Sequence, residues 1–371
     1  MTSMETKTIS AGISHGDING IGYEVIIKTL MDPMMNDLCV PIVYGSPKVA
    51  AYHRKALNIN NFSFNNIRNA EEANPRKANM INCLDDNIRV ELGKSTPQGG
   101  EAAFASLERA VEDLKNGKIN VLITAPIDKN NIQSEKFNFK GHTEYLKSEA
   151  GVGEVLMFMI SENMRIGIAT GHVPLNKVSE MITTESLLKK IRLMNHSLLL
   201  DFAIRKPQIA VLGLNPHAGD NSLIGNEEND ILIPAIKQAE KEGIMVFGPF
   251  PADGFFGAGS FTKFDGILAM YHDQGLAPFK ALSFDSGVNF TAGLPFVRTS
   301  PVHGTAFSIA GKGEASENSF RQAIYLACSI YKNRLMFSEI VKSPLKHQDI
   351  ETHTDKVDEL PPDIYNTEQP L

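Results

Sequence analysis

Three histidines follow apolar runs at the points where a parallel strand would hand the chain over to a loop. His172 comes after residues 166–171, His217 after residues 209–216, and His272 directly after residues 266–271. Imidazole nitrogen suits zinc and other divalent ions, and three protein ligands leave coordination positions open for a substrate. Each histidine taken singly reads more readily as an ordinary polar loop residue. The same placement three times points to one shared metal site, although no pair is spaced closely enough to fix geometry locally, as an HExxH helix would. Asp273 and Asp253 are candidates to orient an imidazole from outside, or to cap turns. His53, His196, His347 and His353 read as surface residues. His15 lies in the first glycine-rich loop, where both roles stay open.

Groups suited to an anion accompany them. Arg298 follows Gly293-Leu294-Pro295-Phe296-Val297, and Lys280 lies eight residues after His272, beyond Pro278, which places it on an expected loop. A guanidinium fork and an ammonium near a metal suit a phosphate or carboxylate; alone, each is a solvated surface charge. Gly141-His142-Thr143-Glu144 precedes a helix expected from Tyr145. It offers an imidazole, a hydroxyl and helix N-terminal amides to an anion, or Thr143 is a plain N-cap. Two loops are rich in glycine. Gly16-Asp17-Ile18-Asn19-Gly20-Ile21-Gly22 does not fit G-x-G-x-x-G, because Val25 takes the last glycine's place. It reads as a tight strand-to-helix turn needing positive φ. In the loop of residues 303–315, small residues including Gly304, Gly311 and Gly313 let a planar or phosphorylated ligand approach the backbone.

The elements that must position these groups alternate. Strands are expected at residues 8–13, 40–44, 121–124, 166–170, 209–214 and 266–271. Amphipathic helices are expected at 101–116, 187–204 and 231–242. This is an α/β pattern with a largely parallel sheet, in which ligands bind beyond the carboxyl ends of the strands. Bulk properties agree. The 371 residues are 42% hydrophobic and 21% charged, as in a folded globular chain, and the net charge of -7 argues against a general nucleic-acid binder. Three scattered cysteines give neither a disulfide framework nor a thiolate metal site, and suit a reducing compartment. No signal-peptide run or membrane-length apolar segment is present, so a cytoplasmic protein without membrane partners is expected. Residues 343–371 are polar and acidic and read as a surface extension without chemistry.

The motifs together are recognisable. The Gly16–Gly22 loop, Leu122-Ile123-Thr124-Ala125-Pro126-Ile127-Asp128-Lys129, Gly141-His142-Thr143-Glu144, residues 213–219, Tyr271-His272-Asp273-Gln274-Gly275, residues 293–300 and His303-Gly304-Thr305-Ala306 occur in unbroken order. They closely resemble the 4-hydroxythreonine-4-phosphate dehydrogenase family of vitamin B6 biosynthesis. The departures are Asp17-Ile18-Asn19-Gly20, where that family usually has Asp-Pro-Ala-Gly, and the acidic tail after about Ser343.

The resemblance implies a two-domain α/β fold like isocitrate and isopropylmalate dehydrogenases, with a parallel or mixed sheet and an active site in the interdomain cleft. Residues 1–128 plus 293–342 would form the cofactor side, 129–292 the metal, substrate and dimerisation domain, and 343–371 the extension. A homodimer with shared active sites is implied. So are NAD or NADP and a divalent cation (zinc, magnesium or cobalt) held by His172, His217 and His272. His142, Thr143, Lys280, Asn289 and Arg298 would bind a small phosphorylated substrate. His303, Gly304, Gly311 and Gly313 would face the cofactor. The proton acceptor is unassigned, with Asp253 as its candidate. Sibling dehydrogenases of threonate or erythronate phosphates, or of carboxylated aromatic dihydrodiols, share these motifs. A zinc hydrolase and a non-catalytic phosphate-binding protein are the readings from other classes.

Overall fold

The computed structural model describes residues 8–85 and 87–342. The 343–371 extension, with His347 and His353, lies outside the described residues. Twelve strands form one sheet: β1 (Ser10–Ser14), β2 (Val40–Gly45), β3 (Asn65–Ile67), β4 (Asn79–Asn82), β5 (Val121–Thr124), β6 (Leu156–Ser161), β7 (Met164–Thr170), β8 (Gln208–Leu212), β9 (Met245–Phe250), β10 (Gly266–Tyr271), β11 (Val288–Ala292) and β12 (Val297–Pro301). Their order is β3-β4-β2-β1-β5-β12-β11-β6-β7-β10-β8-β9. Both flanks are parallel, as expected. The centre is not: β12, β11, β6 and β7 pair antiparallel in succession.

All six expected strands form, within about two residues at each end. Of the others, β11 and β12 escaped because they lack a continuous apolar run. β12 reads Val-Arg-Thr-Ser-Pro and β11 Val-Asn-Phe-Thr-Ala, yet all of β12 is buried. Their registers explain this polarity. Asn289 lies opposite Ser300 on one side and Met159 on the other, and Arg298 alternates with Ser300 on the same face. Thr299 points the opposite way and donates to the Ala323 carbonyl, 2.8 Å away, in the helix Asn318–Lys342 that covers that side. One face of the sheet centre thus packs on a helix, and the other is a polar floor.

The helices start where capping chemistry allows. Thr96 accepts from the Gly99 amide ahead of Pro97, which opens the helix Pro97–Lys115. Thr183 and Ser186 form a reciprocal box ahead of Thr184–Leu200. Lys280 is a correction: it lies within the helix His272–Ser283, which runs through Pro278. Proline removes the hydrogen bond to the Gln274 carbonyl, but burial of Leu276 and Phe279 against the sheet keeps the helix going.

The first glycine-rich loop needs positive φ at Gly16 alone (φ 72). At Gly22 the requirement is space, since a Cβ there would stand 2.2 Å from the His15 carbonyl oxygen. His53, read as a surface residue, is buried. His15, Tyr23 and His53 stack with ring centres 5.0 Å apart at each step. His15 Nδ1 lies 2.6 Å from the Gly16 carbonyl and His53 Nε2 lies 2.8 Å from the Ile18 carbonyl, so the stack props up the loop. Burial pushes the pKa of His15 down to about 3 and that of His53 to about 4, from an ordinary 6.5. The unfolded chain therefore binds more protons than the folded one between those limits, and stability falls as the pH drops from 6.5 towards 4. The melting temperature should decline through that window, and less steeply in His53→Gln. A flat profile in the native protein would contradict this account.

Candidate active site

The polar floor opens into a cleft of about 270 Å3. Its wall brings together His142, Thr143, His172, His272, Lys280, Asn289, Arg298, His303 and Gly304. Four elements and two loops supply them, so their meeting is a product of the sheet.

Arg298 lies at the bottom, 2% exposed. Its Nε and Nη2 donate to the Thr124 hydroxyl at 3.1 and 2.7 Å, and Nη1 donates to the Thr291 hydroxyl at 3.3 Å. No carboxylate among the described residues forms an ion pair with it. Burial lowers its pKa to about 10, opposed by the negative charge of Glu144, so it stays protonated at neutrality. A buried cation held only by hydroxyls is costly unless an anion arrives. The site is therefore built for one.

His142 is the first residue of the helix His142–Ala150, with Gly141 as its N-cap. Thr143 is consequently the second helical residue and not the N-cap. Burial, then the charges of Arg298 and Lys129, hold the His142 pKa well below the usual imidazole range. The ring is neutral and can exchange hydrogen bonds without adding charge. His142 Nε2, Asn289 Oδ1 and His303 Nε2 are shielded from solvent and have no partner among the described residues. A ligand in the cleft would supply the partners that buried polar atoms require.

His172 and His272 follow the adjacent strands β7 and β10, and their ring centres stand 5.4 Å apart. Two imidazoles on one tetrahedral ion place their centres about 5 Å apart. The Nδ1 of His272 faces Asp273 Oδ1 at 2.7 Å, and that of His172 faces Glu144 Oε1 at 3.7 Å. Both rings so keep Nε2 free for a ligand, with a carboxylate behind each, the arrangement that orients metal-binding histidines. His172 holds the Glu144 carboxyl below its ordinary pKa. These residues fit part of a metal site. His217 does not join them: it sits after β8 with φ 54 and ψ 26 and lines no part of this cleft. Among the described residues no group of three His, Cys, Asp or Glu side chains is arranged to hold an ion.

Gly311 and Gly313 also stand outside the cleft. Their φ values of 74 and 76 account for glycine there without any ligand. Lys28 pins this segment to the first helix, donating to Glu24 Oε1 and to the Gly313 and Ala315 carbonyls at 2.7–2.8 Å. Asp253 is exposed on the helix Ala252–Gly257, away from the cleft wall. Sequence reasoning missed Thr124 and Thr291 and gave no role to Glu144 or Lys129, although Thr124, Glu144 and Lys129 all stood in recognised motifs.

Comparison with known proteins agrees with the motifs. Residues 37–327 match the model of the pyridoxal phosphate biosynthetic protein PdxA family. A 4-hydroxythreonine-4-phosphate dehydrogenase from Bacteroides thetaiotaomicron is 53% identical over 354 residues, covering 95% of this chain and 97% of that protein. A provisionally named D-threonate 4-phosphate dehydrogenase from Oceanobacillus iheyensis is 41% identical, covering 86% and 97%. A solved structure described as a 4-hydroxythreonine-4-phosphate dehydrogenase from Salmonella typhimurium superposes with a TM-score of 0.76 at 34% identity, covering 87% of this chain and 100% of that one. By motif order, fold and sequence identity, the chain belongs to the PdxA family of 4-hydroxythreonine-4-phosphate dehydrogenases.

Proposed function

We propose that this protein oxidises the C3 hydroxyl of 4-phosphooxy-L-threonine with NAD (or NADP), and that the resulting β-keto acid loses carbon dioxide to give 3-amino-2-oxopropyl phosphate. The observation that carries this reading is the buried, anion-less guanidinium of Arg298 facing the same cleft as the oriented pair His172 and His272. Arg298 and Lys280 hold the anionic ends of the substrate, and Asn289, His142 and Thr143 supply hydrogen bonds that fix its orientation. A divalent cation (zinc, magnesium or cobalt) would be held by His172 and His272, and when bound it lowers the pKa of the hydroxyl to be oxidised. His303 and Gly304 would lie on the cofactor's side of the cleft, where a bound nicotinamide would supply the hydride-accepting chemistry. The proposed division into 1–128 plus 293–342 and 129–292 suits this arrangement. The first part supplies Arg298, His303 and Gly304, and the second supplies His142, His172, His272, Lys280 and Asn289.

The reading includes a homodimer, in which the third metal ligand is His217 of the partner subunit. Support comes from the loop that carries it. His217, Ala218, Asp220, Asn221 and Ser222 all have positive φ, and the loop presents Leu223 at 80% exposure with Ile224 beside it. Strained backbone and apolar side chains at a surface suit a contact with another copy. Free thiols at Cys39, Cys83 and Cys328 suit a reducing cytoplasm, and no described helix is long and apolar enough to cross a membrane. The relative named for D-threonate 4-phosphate supports a second reading, a phosphorylated sugar acid lacking the amino group.

Three outcomes are expected. Purified protein should reduce NAD with 4-phosphooxy-threonine faster than with threonate or erythronate phosphates, and rigorous chelation should abolish turnover until zinc, magnesium or cobalt is restored. Full turnover without metal would contradict the proposal. Arg298→Ala should raise KM by about tenfold to a hundredfold, the worth of a charge-assisted contact; an unchanged KM removes Arg298 from the site. His217→Ala and His272→Ala should each be inactive as homodimers, whereas co-refolded mixtures should regain about a quarter of native activity, since half the dimers are mixed and one of their two sites is intact. A mixture that stays inactive would place all three ligands in one chain.

A further inference from the structure

Lys129 ends the recognised stretch after β5 and has been given no role. Its loop is firmly fastened. The Asp17 amide donates to the Pro126 carbonyl at 2.9 Å, and Asn131 Nδ2 donates to the carboxylate of the fully buried Asp17 at 2.7 Å. Gln133 Nε2 bridges the Lys129 and Phe139 carbonyls at 2.8 and 2.9 Å, closing the loop just before Gly141. The lysine stem then passes over Gly141, where its Cε would lie 3.5 Å from a Cβ, and the side chain forms part of the cleft wall. No hydrogen bond or ion pair engages its ammonium among the described residues.

The charge count gives that ammonium a purpose. Arg298, Lys129 and Lys280 line the cleft, against the single carboxylate of Glu144, which is matched to His172. Arg298 and Lys129 both act electrostatically on His142, so both charges lie near that ring in the same cleft wall. A neutral imidazole near two positive groups can hydrogen-bond to an anion that both cations attract. A carboxylate carries one negative charge; a phosphate monoester carries about 1.5 to 2 near neutrality. Three cations around one carboxylate, with neither Arg298 nor Lys129 in an ion pair among the described residues, match the latter.

We propose that Lys129 is a specificity-determining residue that, with Arg298, receives the phosphate ester of the substrate and so selects phosphorylated hydroxy acids over their unphosphorylated forms. This rests on the dehydrogenase reading above and names which group meets which end of the substrate.

The test uses the full chain and two probes, inorganic phosphate and 4-phosphooxy-threonine. Lys129→Met should weaken phosphate binding, measured by calorimetry and as an inhibition constant, by about tenfold to a hundredfold. KM for the phosphorylated substrate should rise by a similar factor, with the loss falling on KM rather than kcat. Lys129→Arg should recover most of both. Unchanged phosphate affinity in a folded Lys129→Met protein, or no phosphate binding by the native protein, overturns the proposal. If the native protein binds phosphate but reduces no NAD, the dehydrogenase reading fails while the calorimetric comparison still decides the role of Lys129.

Discussion

A guanidinium that no described carboxylate pairs with, at the bottom of a cleft, is the constraint around which this structure is organised. Arg298 is the largest fully buried side chain among the described residues, and its partners are the hydroxyls of Thr124 and Thr291. Neutral acceptors fix its direction without neutralising it. Much of the desolvation cost therefore stays uncompensated until an anion binds, and the same low-dielectric setting strengthens the attraction for that anion. The surrounding groups avoid adding to the problem. His142 is kept neutral, and Glu144 lies near enough to hold the guanidinium charged but is oriented on His172.

Positioning that charge requires the antiparallel centre of the sheet. In an all-parallel sheet the active edge is made by loops, whereas here β11 and β12 present Asn289, Arg298 and Ser300 side by side on one face, with β6 beside them. Strand registers set these spacings, and registers are more rigid than loops. The opposite face carries Thr299 against the helix Asn318–Lys342, so the floor cannot shift without disturbing the core. The parallel flanks contribute what strand ends supply best: His172 and His272 from adjacent strands, and the tethered loop of residues 125–132. Asp17 and the His15–Tyr23–His53 stack hold that corner together from beneath.

Local sequence signals failed where tertiary packing overrode them. Pro278 argued for a loop at Lys280, but apolar contacts of Leu276 and Phe279 carried the helix through. His53 looked solvated because its helix is polar by composition, and only the stack with Tyr23 explains its burial. The segments of β11 and β12 escape a search for apolar runs, because β11 alternates polar with apolar residues and β12 sets three polar residues in a row. Their polarity is meaningful only once a ligand cleft lies on that face.

Residue types and their order along the chain determined the family, the α/β alternation, the six apolar strands and most of the cleft residues. These depend on chemistry and periodicity, which are local properties of a sequence. The tertiary structure decided which of those residues meet. It joined His172 to His272 because β7 and β10 are neighbours, and it placed Arg298, Asn289, Lys280, His142 and His303 around one volume. It left His217 and the two distal glycines outside that volume. Adjacency of strands and the direction of a side chain follow from pairing across more than a hundred residues of sequence, and no local pattern encodes that pairing.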